Sequence, residues 1–137
     1  MKVIKSTQYY DILVSEDGFV IEVKWKKTIL DMLSEEYQRV LIEAYNHLFG
    51  LAPTALLQNT KDAVFPLTPE FQEWITENIT KKIFKKVGLK KIAYLIPSDL
   101  LTKLGIEMLV NKAQKKSGEI PRRFFDNRDD ALAWLQE

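Results

Sequence analysis

Gly18-Phe19-Val20-Ile21-Glu22-Val23-Lys24-Trp25-Lys26 places Phe19, Ile21, Val23 and Trp25 on one side and Glu22, Lys24 and Lys26 on the other. A repeat of two is the signature of a strand with one face buried and one in water. Immediately upstream, Tyr9-Tyr10-Asp11-Ile12-Leu13-Val14 is rich in aromatic and branched residues, and Glu16-Asp17-Gly18 suits a tight reversal. The two runs predict an antiparallel hairpin.

Downstream the repeat changes. Tyr37, Val40, Leu41, Ala44, Tyr45 and Leu48 fall at helical spacing between Ser34 and Phe49, Gly50 stands where a left-handed cap belongs, and Pro53 blocks continuation. Thr54-Ala55-Leu56-Leu57-Gln58 then reads as a short buried strand. A hydroxyl, a proline and a carboxylate at Thr68-Pro69-Glu70 open a second helix, whose Phe71, Ile75, Ile79 and Ile83 recur every four residues until Gly88. Lys91-Ile92-Ala93-Tyr94-Leu95-Ile96 predicts another strand. Ser98 or Asp99 caps a third helix carrying Leu101, Leu104, Met108 and Leu109. Arg122-Arg123-Phe124-Phe125 reads as a last strand, with Asp126 capping a final helix through Ala131, Leu132, Trp134 and Leu135. The order is ββαβαβαβα: an α/β class, one domain over residues 1–137, with a small mixed, mostly parallel sheet of about five strands flanked by helices.

Composition agrees with one folded unit, since 137 residues with 46% hydrophobic and 28% charged side chains are enough to build a core. The absence of cysteine removes disulfides, thiolate nucleophiles and Cys-based zinc sites. Polar residues interrupt Met1-Lys2-Val3-Ile4-Lys5-Ser6-Thr7-Gln8, so no secretory signal is read there, and no later run has membrane-spanning length. The expected location is cytoplasmic.

The order of elements and the ending Phe124-Phe125-Asp126-Asn127-Arg128-Asp129-Asp130-Ala131-Leu132-Ala133-Trp134-Leu135 resemble the STAS-like (SpoIIAA-like) family. Its members commonly finish with a short aromatic strand, an acidic turn and an Ala-Leu-x-Trp-Leu helix. The resemblance implies a mixed sheet flanked by helices that works by docking a protein or by binding a small or lipid-like ligand. In that family's phosphorylated antagonists of anti-sigma factors, an Asp-x-Ser switch follows the strand before the second helix. Here Gln58 stands at the aspartate and Thr60 at the serine, which leaves phosphorylation of Thr60 a weak expectation.

Known reactive patterns are missing. The five glycines are scattered singly, without a phosphate-binding loop, and His47 is the one histidine, so a His-based metal cluster is impossible. His47 near a helix C-terminus is explained by the dipole, and Asp129-Asp130 and Glu35-Glu36 lie where helix N-termini recruit carboxylates. No catalytic residue, metal or cofactor is expected; the chain reads as a binding or regulatory module rather than an enzyme.

Two surfaces are candidates. Open α/β sheets meet ligands and partners in loops beyond the carboxyl ends of their strands. The apolar Ala63-Val64-Phe65-Pro66-Leu67 follows the third predicted strand, so Asn59, Thr60, Phe65 and Leu67 are the candidate contacts for a protein partner or small apolar ligand. The alternative is charge. From Lys81 to Arg123 there are 12 Lys and Arg against Asp99, Glu107 and Glu119, a net +9 in a chain whose total is +1. Lys81, Lys82, Lys85 and Lys86 form one flank of a helix, a solvated face by default and otherwise a docking face for anionic lipid, nucleic acid or acidic protein. Without interleaved exposed aromatics nucleic acid is the weaker partner, while peripheral contact with an anionic membrane and a homodimer both stay open.

Overall fold

The computed structural model describes residues 1–31, 34–63, 69–84, 88–100 and 120–137. One six-stranded sheet runs β1 (Lys2–Ser6), β2 (Tyr10–Val14), β3 (Val20–Trp25), β4 (Ala55–Asn59), β5 (Lys91–Leu95) and β6 (Arg122–Phe125), with spatial order the same as chain order. β1, β2 and β3 are antiparallel; β3 through β6 are parallel. The mixed, mostly parallel α/β class agrees with the sequence reading.

The extra strand is β1. Its side chains are almost all exposed, and its ladder slips by one residue between Val3 and Lys5. An edge strand with two wet faces has no reason to alternate, so hydrophobic patterning cannot announce it.

The two sheet faces are buried differently. Tyr10, Ile12, Ile21, Val23, Trp25, Leu56 and Ile92 pack under α1 (Ser34–Leu51) and the following helical segment, meeting Leu41, Ala44, Leu48, Ile79 and Ile83. On the other face Val20, Ala55, Leu57, Ala93 and Leu95 pack under α3 (Arg128–Gln136) through Ala131 and Leu135. β3 is therefore covered on both sides along most of its length. This corrects the half-buried strand inferred from its alternation: Val20 and Glu22 are both buried.

Helix details depart from the sequence in instructive ways. The second helix is α2 (Pro69–Ile75) continued by a π-helical segment (Thr76–Phe84). At the junction Asn78 Nδ2 donates to the Trp74 carbonyl at 3.0 Å, so a side chain takes an acceptor that regular α geometry reserves for a backbone amide. A 3₁₀ turn over Lys27–Asp31 was not foreshadowed. Residues 98–100 are helical, and the remainder of the helix expected there, including Leu104 and Met108, lies outside the described residues. Asn127, not Asp126, caps α3 by accepting from the Asp130 amide at 3.1 Å; Asp126 instead accepts from Ser98 Oγ at 2.9 Å.

Gly50 is not the cap of α1. The helix continues to Leu51, and Ala52 takes the left-handed conformation at φ 46, its amide bonding the Leu48 carbonyl at 3.1 Å. A Cβ is strained there. Ala52→Gly should relieve more strain than it adds in unfolded-state entropy, stabilising the fold by about 0.5–1 kcal/mol. A urea midpoint unchanged or lowered in that variant would contradict the assignment.

Candidate functional site

β4 is buried on both faces, and its carboxyl end delivers Gln58, Asn59 and Thr60 into the structure rather than out of it. Gln58 faces α1. Its Oε1 accepts from Trp25 Nε1 at 3.1 Å, and its Nε2 donates to the Tyr45 hydroxyl. Burial holds the Tyr45 hydroxyl well above the usual tyrosine range, so it stays protonated.

Asn59 faces the opposite side and organises a polar cluster that the sequence did not reveal. Its Nδ2 donates to Glu22 Oε2 at 3.0 Å, while Arg128 donates to Glu22 Oε1 from Nη2 at 2.6 Å and from Nε at 3.1 Å. Glu22 is 1% exposed; the Arg128 side chain is 40% exposed. The carboxylate thus sits within the sheet layer with both oxygens satisfied, and its cation keeps an edge in water. The three residues come from β3, the end of β4 and the first turn of α3.

Thr60 is buried and fully occupied: Oγ1 donates to the Leu95 carbonyl at 3.0 Å, and its amide donates to the same oxygen at 2.9 Å. Chemistry at that hydroxyl requires this β4–β5 contact to open first. Lys61 and Asp62 are the exposed residues that follow. Phe65 and Leu67, the apolar half of the candidate contact surface, lie outside the described residues.

The lysine flank is divided. Lys81 and Lys82 are exposed on the π-helical segment, Lys81 pairing with Glu77 at 2.7 Å; Lys85 and Lys86 lie outside the described residues. Tertiary structure adds a neighbour from far along the chain, because Arg122 Nη2 donates to Thr80 Oγ1 at 3.2 Å. That bond brings the start of β6 against the helix turn carrying Lys81 and Lys82. Lys91, by contrast, is structural: it reaches the Trp134 and Glu137 carbonyls at 3.0 and 3.2 Å and lies over the Trp134 ring, closing the negative end of α3.

His47 is exposed on α1, and among the described residues no three acidic or histidine side chains converge as metal ligands. No described helix is long and apolar enough to cross a membrane.

No family model matches this chain, and no curated protein or solved structure matches it significantly.

Glu22 went unrecognised because its partners are 37 and 106 residues away, and an alternating strand gives no reason to treat one of its polar positions as buried. Glu22 faces Leu57 across the parallel ladder, a pairing that only the tertiary structure supplies.

Proposed function

We propose that this chain is a non-enzymatic binding or regulatory module of STAS-like (SpoIIAA-like) type, docking a protein partner or a small or lipid-like ligand beyond the carboxyl ends of its parallel strands. The observation that supports this reading is the state of β4's last residues. Asn59 and Thr60 are locked to Glu22 and to the Leu95 carbonyl, so they build a rigid rim from which the 61–67 segment departs, and they present no free reactive group. Rigid scaffolds carrying contact loops are the common arrangement for recognition. Within this reading Phe65 and Leu67 supply the apolar contact. The module is assigned to the cytoplasm, as a monomer or homodimer, and without a cofactor. Phosphorylation of Thr60 has a reduced place here, because its hydroxyl is engaged.

The test is native mass spectrometry together with affinity capture, comparing the parent protein with a Phe65→Ala/Leu67→Ala variant of equal stability. Loss of a ligand or partner in the variant is the expected result. Interactions identical in both proteins would remove the 59–67 surface from consideration.

A second reading, an anion-directed surface, is favoured by the Arg122–Thr80 bond, which brings Arg122 against the helix turn carrying Lys81 and Lys82, at the start of the +9 segment. It predicts salt-sensitive binding to acidic vesicles, abolished by charge reversal at Lys81, Lys85 and Lys86.

A further inference from the structure

β6 ends the sheet, and the hydrogen bonds of its inner side identify which of its backbone groups face outward. The Ile92 amide donates to the Pro121 carbonyl at 3.0 Å, and the Ile96 amide donates to the Phe125 carbonyl at 2.9 Å. In a parallel ladder a residue directs its N–H and C=O to the same neighbour, and successive residues alternate. Residues 121, 123 and 125 therefore face β5. The N–H and C=O groups of Arg122 and Phe124 face away from it, with no described strand beyond them.

Three features make this edge receptive rather than merely exposed. Its register to β5 is unbroken, unlike that of β1, where the slip at Val3 and Lys5 disturbs the outer strand. Its side chains are anchored: Phe124 stacks on Tyr94 with centroids 4.9 Å apart and planes at 17°, Arg122 is fastened to Thr80, and Arg123 lies over the Phe125 ring. Both arginines are exposed, and neither is ion-paired among the described residues. Lys82 adds positive charge from the helix turn that Arg122 touches.

We propose that β6 is a docking edge for an acidic segment in extended conformation, which adds a seventh strand through the outward N–H and C=O groups of Arg122 and Phe124 while its carboxylates meet Arg122 and Arg123. Charge decides the occupant. A second copy pairing edge to edge would set arginine against arginine, so the side chains that repel self-association are those that attract an acidic strand. The surface lies on the far edge of the sheet, beyond β5 from Asn59 and Thr60, and stands or falls apart from the proposed contact surface there.

The full chain, with its amides followed by NMR hydrogen exchange, is titrated with an acetylated Glu-Glu-Val-Glu-Glu-Val peptide, which in a strand presents carboxylates on both faces, as the opposed Arg122 and Arg123 require. The expected result is slowed exchange at Arg122 and Phe124, weakened by salt. The same peptide N-methylated at alternate residues should lose the effect, as should its lysine counterpart. R122E/R123E should bind the acidic peptide about tenfold or more weakly; the N-methylated arm leaves the protein unaltered and so guards against misfolding of that variant. Absence of binding at millimolar peptide, equal binding of the lysine or N-methylated peptide, or binding that leaves the Arg122 and Phe124 amides unprotected would each overturn the proposal.

Discussion

Trp25→Ala should cost about 3–5 kcal/mol from the lost ring and its cavity, before any polar penalty. The side chain is completely buried between Tyr10 and Tyr45, with ring centroids at 5.4 and 6.0 Å, and it joins β3 to β4 through Gln58. Its removal also strips buried Gln58 Oε1 of its donor, adding on the order of 1–3 kcal/mol. Domains of this size have about 5–15 kcal/mol in total, so the variant should sit near the edge of unfolding at room temperature. Trp25→Phe keeps most of the apolar volume and loses the N–H, so it should recover roughly half of the deficit. Urea midpoints with near-ultraviolet dichroism measure both. A loss below about 1.5 kcal/mol for the alanine variant would mean that the Tyr10–Trp25–Tyr45 cluster is not the centre of this core.

Breaking the Glu22–Arg128 pair should show an asymmetry set by burial. Removing one partner of a fully buried pair costs about 3–5 kcal/mol, but Arg128 has 40% of its side chain in water, and Arg128→Ala also opens a path for solvent to the carboxylate. An expected loss of about 1.5–3 kcal/mol follows from that discount. Glu22→Gln should cost less, about 1 kcal/mol, since the amide oxygen can keep accepting from Arg128 while an Asn59 amide turned over accepts from the new NH2. Glu22→Leu/Arg128→Leu should restore most of the stability, because it leaves no buried charge unpaired. Chemical denaturation of the four proteins, with exchange protection in α3, tests the ordering. An Arg128→Ala variant as stable as the parent would show that the contact does not hold α3 to the sheet.

These two sites differ in how far the sequence announces them. Trp25 belongs to an alternation of Ile21, Val23 and Trp25 that any one-sided strand requires, and the structure buries all three. Its bond to Gln58 was not announced, because Gln58 ends an apolar run without indicating its partner. Glu22 occupies the opposite register of the same strand, where alternation assigns it to water with Lys24. Lys24 is indeed exposed. The difference arises from α3: its first turn brings Arg128 over β3, and Asn59 completes the enclosure. Of the candidate contacts, Asn59 was expected just past a strand ending at Gln58 and is instead the last residue of β4, and both Asn59 and Thr60 are turned inward by Glu22 and the Leu95 carbonyl.

Local patterning determined the elements: the β2–β3 hairpin with Gly18 at positive φ, the isoleucine-spaced helix opened by Pro69, the buried β4 and the final helix. Those features depend on residues within a turn or two of each other, and the periods of strand and helix express them directly. Tertiary structure alone decided that β1 joins the sheet, that β3 has a second covered face, and that Arg122 meets Thr80. Each depends on groups brought together across tens of residues, and burial of a polar side chain is a property of the partner that covers it.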